Sequence, residues 1–174
     1  FLKGDIVKAF SGSENIFFYM PGHRYFQFFQ AFIFGESSIL GWIFVLVTPA
    51  TIFYLLKNFT NSFYSTVITL FFSLFFFMNY YRGVHLHAEA VAYPLAFISL
   101  NFSIKLLNKR KTEANNNYIF YASILMAIAI IFRPNILLPA FLVHSYLFYK
   151  NFTFKSFKSF FIGYLPLLLL PFHN

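Results

Sequence analysis

The stretch ILGWIFVLVTPATIFYLL, residues 39–56, runs for eighteen residues without a single charge. As a helix rising 1.5 Å per residue it is about 27 Å long, close to the ~30 Å hydrocarbon core of a bilayer. The chain repeats this pattern. Residues 63–80 (FYSTVITLFFSLFFFMNY) and 90–107 (AVAYPLAFISLNFSIKLL) are two further blocks of the same length. In the second, Lys105 sits near the end, where its ammonium reaches the headgroups. Shorter apolar blocks follow at 118–132, 134–149 and 157–172. The expected fold is all-α: a polytopic transmembrane helix bundle of about six spans over residues 39–174. Residues 1–38 precede it as an extracytoplasmic loop with an interfacial helix. Pro49 and Pro94 are expected to kink their helices, which membrane spans tolerate when neighbours satisfy the freed carbonyls.

Composition agrees with this reading. Of 174 residues 59% are hydrophobic and 10% charged, against roughly 45–50% and about 25% in an ordinary soluble domain. So few charges cannot solvate a globule of this size, which excludes a soluble enzyme and a disordered chain. The 30 Phe residues carry less weight, because Phe, Tyr, Asn, Ile and Lys all have AT-rich codons. The absence of Cys excludes disulfides and thiolate chemistry. The chain opens on Phe1 and stops at Asn174 just after an apolar run, so it reads as a fragment incomplete at both ends.

Alternating connectors sort the charges by side. One side receives Lys57, Lys105, Lys109, Arg110, Lys111, Lys150, Lys155 and Lys158 with Glu113; the other receives Lys3, Lys8, Arg24, Arg82 and Arg133 with Asp5, Glu14, Glu36 and Glu89. The lysine-rich side is expected to face the cytoplasm. The net charge of +8 then reflects topology, and no nucleic-acid partner is implied. Arg24, Arg82 and Arg133 share the outer side among aromatic and apolar neighbours. Guanidinium groups bind phosphate through a planar fork, so the three point to an anionic headgroup site; independent helix-end anchors are the alternative.

Three short segments stand out. Met20-Pro21-Gly22-His23-Arg24-Tyr25-Phe26 is a turn followed by Phe26, Phe29, Phe32 and Ile33 at helical spacing, as on an interfacial helix. Ser38 is placed to cap the first span. His85-Leu86-His87-Ala88-Glu89 offers metal-ligand chemistry if extended, because alternate side chains share a face; on a helix only His85 and Glu89 do. A divalent cation is therefore the one cofactor left open, beside phosphate or hydroxyl recognition and a purely structural His–Glu contact. Arg133 is the only full charge within residues 118–149. Fifteen helical residues before it rise about 22 Å, so two short helices joined at Arg133-Pro134 would hold a guanidinium at membrane depth. A longer tilted hairpin would leave it at the headgroups.

Together these segments resemble polytopic glycosyltransferases of the GT-C type, the group that includes dolichyl-phosphate-mannose-protein mannosyltransferases. Tyr19-Met20-Pro21-Gly22-His23-Arg24-Tyr25-Phe26 is similar to the family's Tyr-x-Pro-Gly-Tyr-Pro-like element, and Phe34-Gly35-Glu36-Ser37 to its Phe-Gly-x-Ser. Glu89 with Pro94, and Arg133-Pro134, keep the order, so the likeness covers residues 15–140. It implies an integral protein of the bacterial inner membrane that moves a sugar from a polyprenyl-phosphate donor to a glycan, lipid or protein acceptor on the extracytoplasmic side. The resemblance also implies a carboxylate base, for which Asp5 is the candidate unless the base lies upstream of Phe1. Arg24, Tyr25, Glu36, Arg82, His85, His87, Glu89 and Arg133 would then bind substrate. His23-Arg24 departs from the second proline of the motif and leaves the acceptor class open. A transporter, flippase or polysaccharide polymerase is the alternative reading, and no internal repeat of the transporter kind is visible.

Overall fold

A computed structural model describes residues 21–35, 39–82, 88–107, 116–150, 153–168 and 170. Every regular element among them is helical. In chain order these are α1 (Pro21–Phe34), α2 (Ile39–Leu56), α3 (Ser62–Arg82), α4 (Ala88–Leu107), α5 (Asn116–Phe132), α6 (Leu137–Lys150) and α7 (Phe154–Tyr164). Single 3-10 turns occupy Pro134–Ile136 and Leu165–Leu168.

The helix ends follow local chemistry. Asn61 Oδ1 accepts from the Tyr64 amide at 3.0 Å and starts α3. Thr153 and Ser156 form a reciprocal capping box at the start of α7. Pro134 forces Arg133 into an extended conformation (φ −142°, ψ 94°) and so ends α5. Pro166 lacks the amide needed to continue α7, and the Leu165 N–H falls back to Ile162 O in a tighter turn. The described part of the apolar block expected over 157–172 is thus most of an eleven-residue helix, a 3-10 turn and Leu170. By contrast α2 and α4 run unbroken through Pro49 and Pro94.

Among the described residues two helices, α2 and α4, are long and apolar enough to cross a membrane. Helices α5, α6 and α7 have 17, 14 and 11 residues, about 26, 21 and 17 Å of rise. Within α3 the described residues Ser62–Phe75 are an apolar stretch of fourteen.

α4 packs on α2, α5 and α6. Most of its buried residues are small, Ala88, Ala90, Ala92, Ala96, Ser99 and Ser103 among them. Ala96 meets Met126, Ala129 and Ile130 of α5 and Ala140 of α6 in one cluster, and Ala88 and Ala92 meet Phe132 of α5 in another. Small side chains let helix backbones approach closely, the interface chemistry of helices in lipid. A close approach occurs at Gly163 of α7, where an added Cβ would lie 2.5 Å from Ser123 Cβ of α5. Outside, the pattern inverts that of a water-soluble domain. Phe63, Phe71 and Leu138 are 71, 76 and 69% exposed, while Thr48, Ser65, Ser99, Ser103, Ser123 and His144 are buried.

Candidate functional site

Glu89 and Arg133 form an ion pair, Arg133 Nη2 to Glu89 Oε1, although 44 residues separate them in sequence. α4 begins two residues earlier than the apolar block suggests, which puts Glu89 in its first turn. There the unpaired amides of the helix start favour a carboxylate. Arg133 reaches it because Pro134 turns the chain. Its amide still closes α5 on Ala129 O, and its carbonyl accepts from Ile136 N–H. Both side chains are largely buried, at 25% exposure for Arg133 and 18% for Glu89. Glu89 Oε2 is buried and has no hydrogen-bond partner among the described residues. One carboxylate oxygen is thus held by the guanidinium, and the other is left to accept from a further donor.

α1 covers this end of the bundle. Phe26 lies edge-on between Phe44 of α2 and Phe132 of α5, with ring centroids 5.8 and 5.9 Å away. Gln30 Oε1 accepts from the buried Gly41 amide at 3.1 Å, satisfying an orphan donor in the first turn of α2. Gly22 packs on the Ile131 backbone, where an added Cβ would sit 3.0 Å from three Ile131 atoms. The expected amphipathic helix is present, but its apolar residues divide. Gly22, Phe26 and Gln30, at i, i+4 and i+8, turn inward, while Phe29, Phe32 and Ile33 are 59, 73 and 52% exposed.

Of the residues expected at the site, Glu89 and Arg133 are in contact. Arg24 and Tyr25 lie half-buried on α1, which packs on α5. Arg82 ends α3, and its side chain lies outside the described residues. Asp5, Glu36, His85 and His87 lie outside them too, as does the capping candidate Ser38. Among the described residues no group of three or more His, Cys, Asp or Glu could hold a metal ion.

A second polar centre, not anticipated from the sequence, lies deeper. His144 of α6 is 2% exposed. Its Nδ1 is 2.6 Å from Tyr164 OH of α7, and its Nε2 is 3.5 and 3.4 Å from Ser99 Oγ and Ser103 Oγ of α4. Ser99 donates its proton to Ala122 O and Ser103 donates to Ser99 O, so both hydroxyls can only accept at Nε2. The ring therefore carries its proton on Nε2 and accepts at Nδ1 from Tyr164. Four side chains from three helices satisfy one another. The sequence signal was a histidine alone in an apolar helix and two serines one turn apart.

Compared with protein-family models, curated proteins and solved structures, the chain matches none of them.

Proposed function

We propose that the chain belongs to an integral-membrane glycosyltransferase that moves a sugar from a polyprenyl-phosphate donor to an acceptor hydroxyl. The observation that carries this reading is the Glu89–Arg133 pair, whose second carboxylate oxygen has no hydrogen-bond partner among the described residues, at a proline-made helix junction beneath α1. Membrane placement draws support from α2 and α4 and from the apolar exterior. In this reading α3, α5, α6 and the segment of α7 complete a bundle of about six spans in the bacterial inner membrane. Short helices are accommodated because their broken ends face protein rather than lipid.

Transfer breaks the bond between the anomeric carbon and the phosphate oxygen, and the electron pair leaves on the polyprenyl phosphate. The acceptor oxygen bonds to that carbon from the opposite face and gives its proton to a carboxylate, so configuration inverts. Asp5 is the candidate base. Arg133, with Arg24 and Arg82, stabilises the departing phosphate charge. Glu89 orients Arg133 through Oε1 and accepts a sugar hydroxyl at Oε2; Tyr25, Glu36, His85 and His87 complete the sugar and acceptor contacts.

The test is donor binding by the purified protein in micelles, titrated with a polyprenyl-phosphate sugar. Arg133→Ala is expected to weaken binding at least tenfold while folded yield stays within a factor of two. Undiminished donor binding by that variant would remove the phosphate role. Passage of donor across proteoliposomes without bond cleavage would replace transfer by transport.

A further inference from the structure

We propose that the cleft between the C-terminal halves of α2 and α4 binds an anionic phospholipid, with its phosphate between Lys57 and Lys105. The cleft is a cavity of about 630 Å³ at the end of the bundle away from Glu89. The two helices lie parallel: Phe44 packs with Ala88 and Val91 at one end, and Asn58 bonds Asn101 at the other. Both C-termini therefore emerge together, and Lys57 and Lys105 line the same cavity.

The lining residues are ordered by polarity along both helices. Along α2 the wall passes from Val47 and Ala50 through Tyr54 to Lys57. Along α4 it passes from Ile98 through Asn101 to Lys105. Each wall runs from apolar to polar to cationic over roughly 10–15 Å of helix. A phospholipid has the same sequence of chemistries over a similar length: acyl chain, ester region, phosphate. Two lining residues bond across the cleft, Asn58 Nδ2 donating to Asn101 Oδ1 at 3.0 Å, while Asn101 Nδ2 donates back to Phe97 O and Thr51 O. With those amides engaged inside the protein, the lysines supply the charge for a ligand.

Among the described residues their end of the bundle also holds no counter-charge. The one carboxylate among the described residues is Glu89, which is paired with Arg133 at the opposite end of α4. Sixteen residues of helix, about 24 Å, separate Glu89 from Lys105. Partial negative charge at the helix C-termini favours one ammonium at each end. Two of them on one lipid-sized cleft form a basic pocket between helices, the arrangement that binds anionic headgroups. This inference rests on the membrane-spanning reading and is independent of sugar transfer.

The experiment uses native mass spectrometry of the whole protein in detergent, with phosphatidylglycerol and phosphatidylcholine of identical chains as probes. Wild type is expected to retain phosphatidylglycerol preferentially. Each Lys→Gln change should weaken it about fivefold, and Lys57→Gln with Lys105→Gln about 25-fold. Ala50→Phe should weaken it through the acyl wall, with both charges in place. Should the double variant misfold, Lys57→Arg with Lys105→Arg retains the charges and is expected to keep the preference. Equal retention of both lipids by wild type overturns the proposal, as does unchanged binding in a folded double variant. Displacement of phosphatidylglycerol by millimolar inorganic phosphate, with Ala50→Phe silent, would leave an anion site without a lipid and also overturns it. Carbonate extraction of wild-type membranes separates the two readings. Release of the protein defeats the membrane reading, whereas retention without lipid preference defeats this site alone.

Discussion

The two polar centres differ in how completely their groups are matched. At His144 every hydrogen-bonding atom of the ring meets a partner, and those partners come from α4 and α7. At Glu89–Arg133 one carboxylate oxygen meets a guanidinium and the other meets nothing among the described residues. A closed network fastens helices together, and an open one can receive a ligand. His144 is the deeper of the two, at 2% exposure.

That contrast is open to attack at both ends. The largest effect should come from His144→Ala, which strands Tyr164 and two serines and leaves a cavity. Interhelical hydrogen bonds average about 0.6 kcal/mol each in lipid, and the cavity adds to them, giving about 3 kcal/mol of lost stability. Denaturant unfolding in micelles measures it, and donor binding per folded molecule should stay at the wild-type level. Loss of binding in the folded fraction would show that the closed centre also serves the ligand.

Glu89→Gln should act in the opposite way. It keeps the shape but removes the charge that orients Arg133, so transfer should fall about tenfold, equivalent to roughly 1.4 kcal/mol. The unfolding midpoint should move little, because the pair retains some solvent exposure. A large midpoint shift with unchanged transfer would make this pair a fastening too.

The smallest effect is expected for Gln30→Ala. It unties α1 from the first turn of α2 and should cost about 1 kcal/mol, the usual value of a helix N-terminal cap. Amide exchange at Gly41 is the readout. Protection equal to wild type would mean that the Phe26 contacts alone hold α1.

The helices could be read from charge-free runs, because only intrachain bonding satisfies a long apolar backbone. The ends of α2 fall at Ile39 and Leu56, where the sequence puts them. Arg133 was legible for a related reason: a proline after an isolated charge dictates a break and an exit for the side chain. Pro166 carried the same message within the last block, but the apolar run around it concealed the break. Partnerships were out of reach. Gln30 finds Gly41 eleven residues on, and His144 finds Ser99 and Ser103 more than forty residues back. Such pairs depend on which helix faces meet, and a nearly uniform apolar sequence carries little periodic signal about faces. The inward turn of Phe26 against the outward Phe29 and Phe32 was hidden in the same way.

Gly22 carries a consequence for the distance between α1 and the ion pair. A methyl group there would have to push aside backbone atoms of Ile131, and Arg133 is two residues further along the same chain. Helix α1 is therefore seated directly on Ile131, against its carbonyl group and its Cγ2, two residues before Arg133. The missing carbon acts as the gauge of the joint: its thickness is zero, and any thicker part would be felt at Arg133.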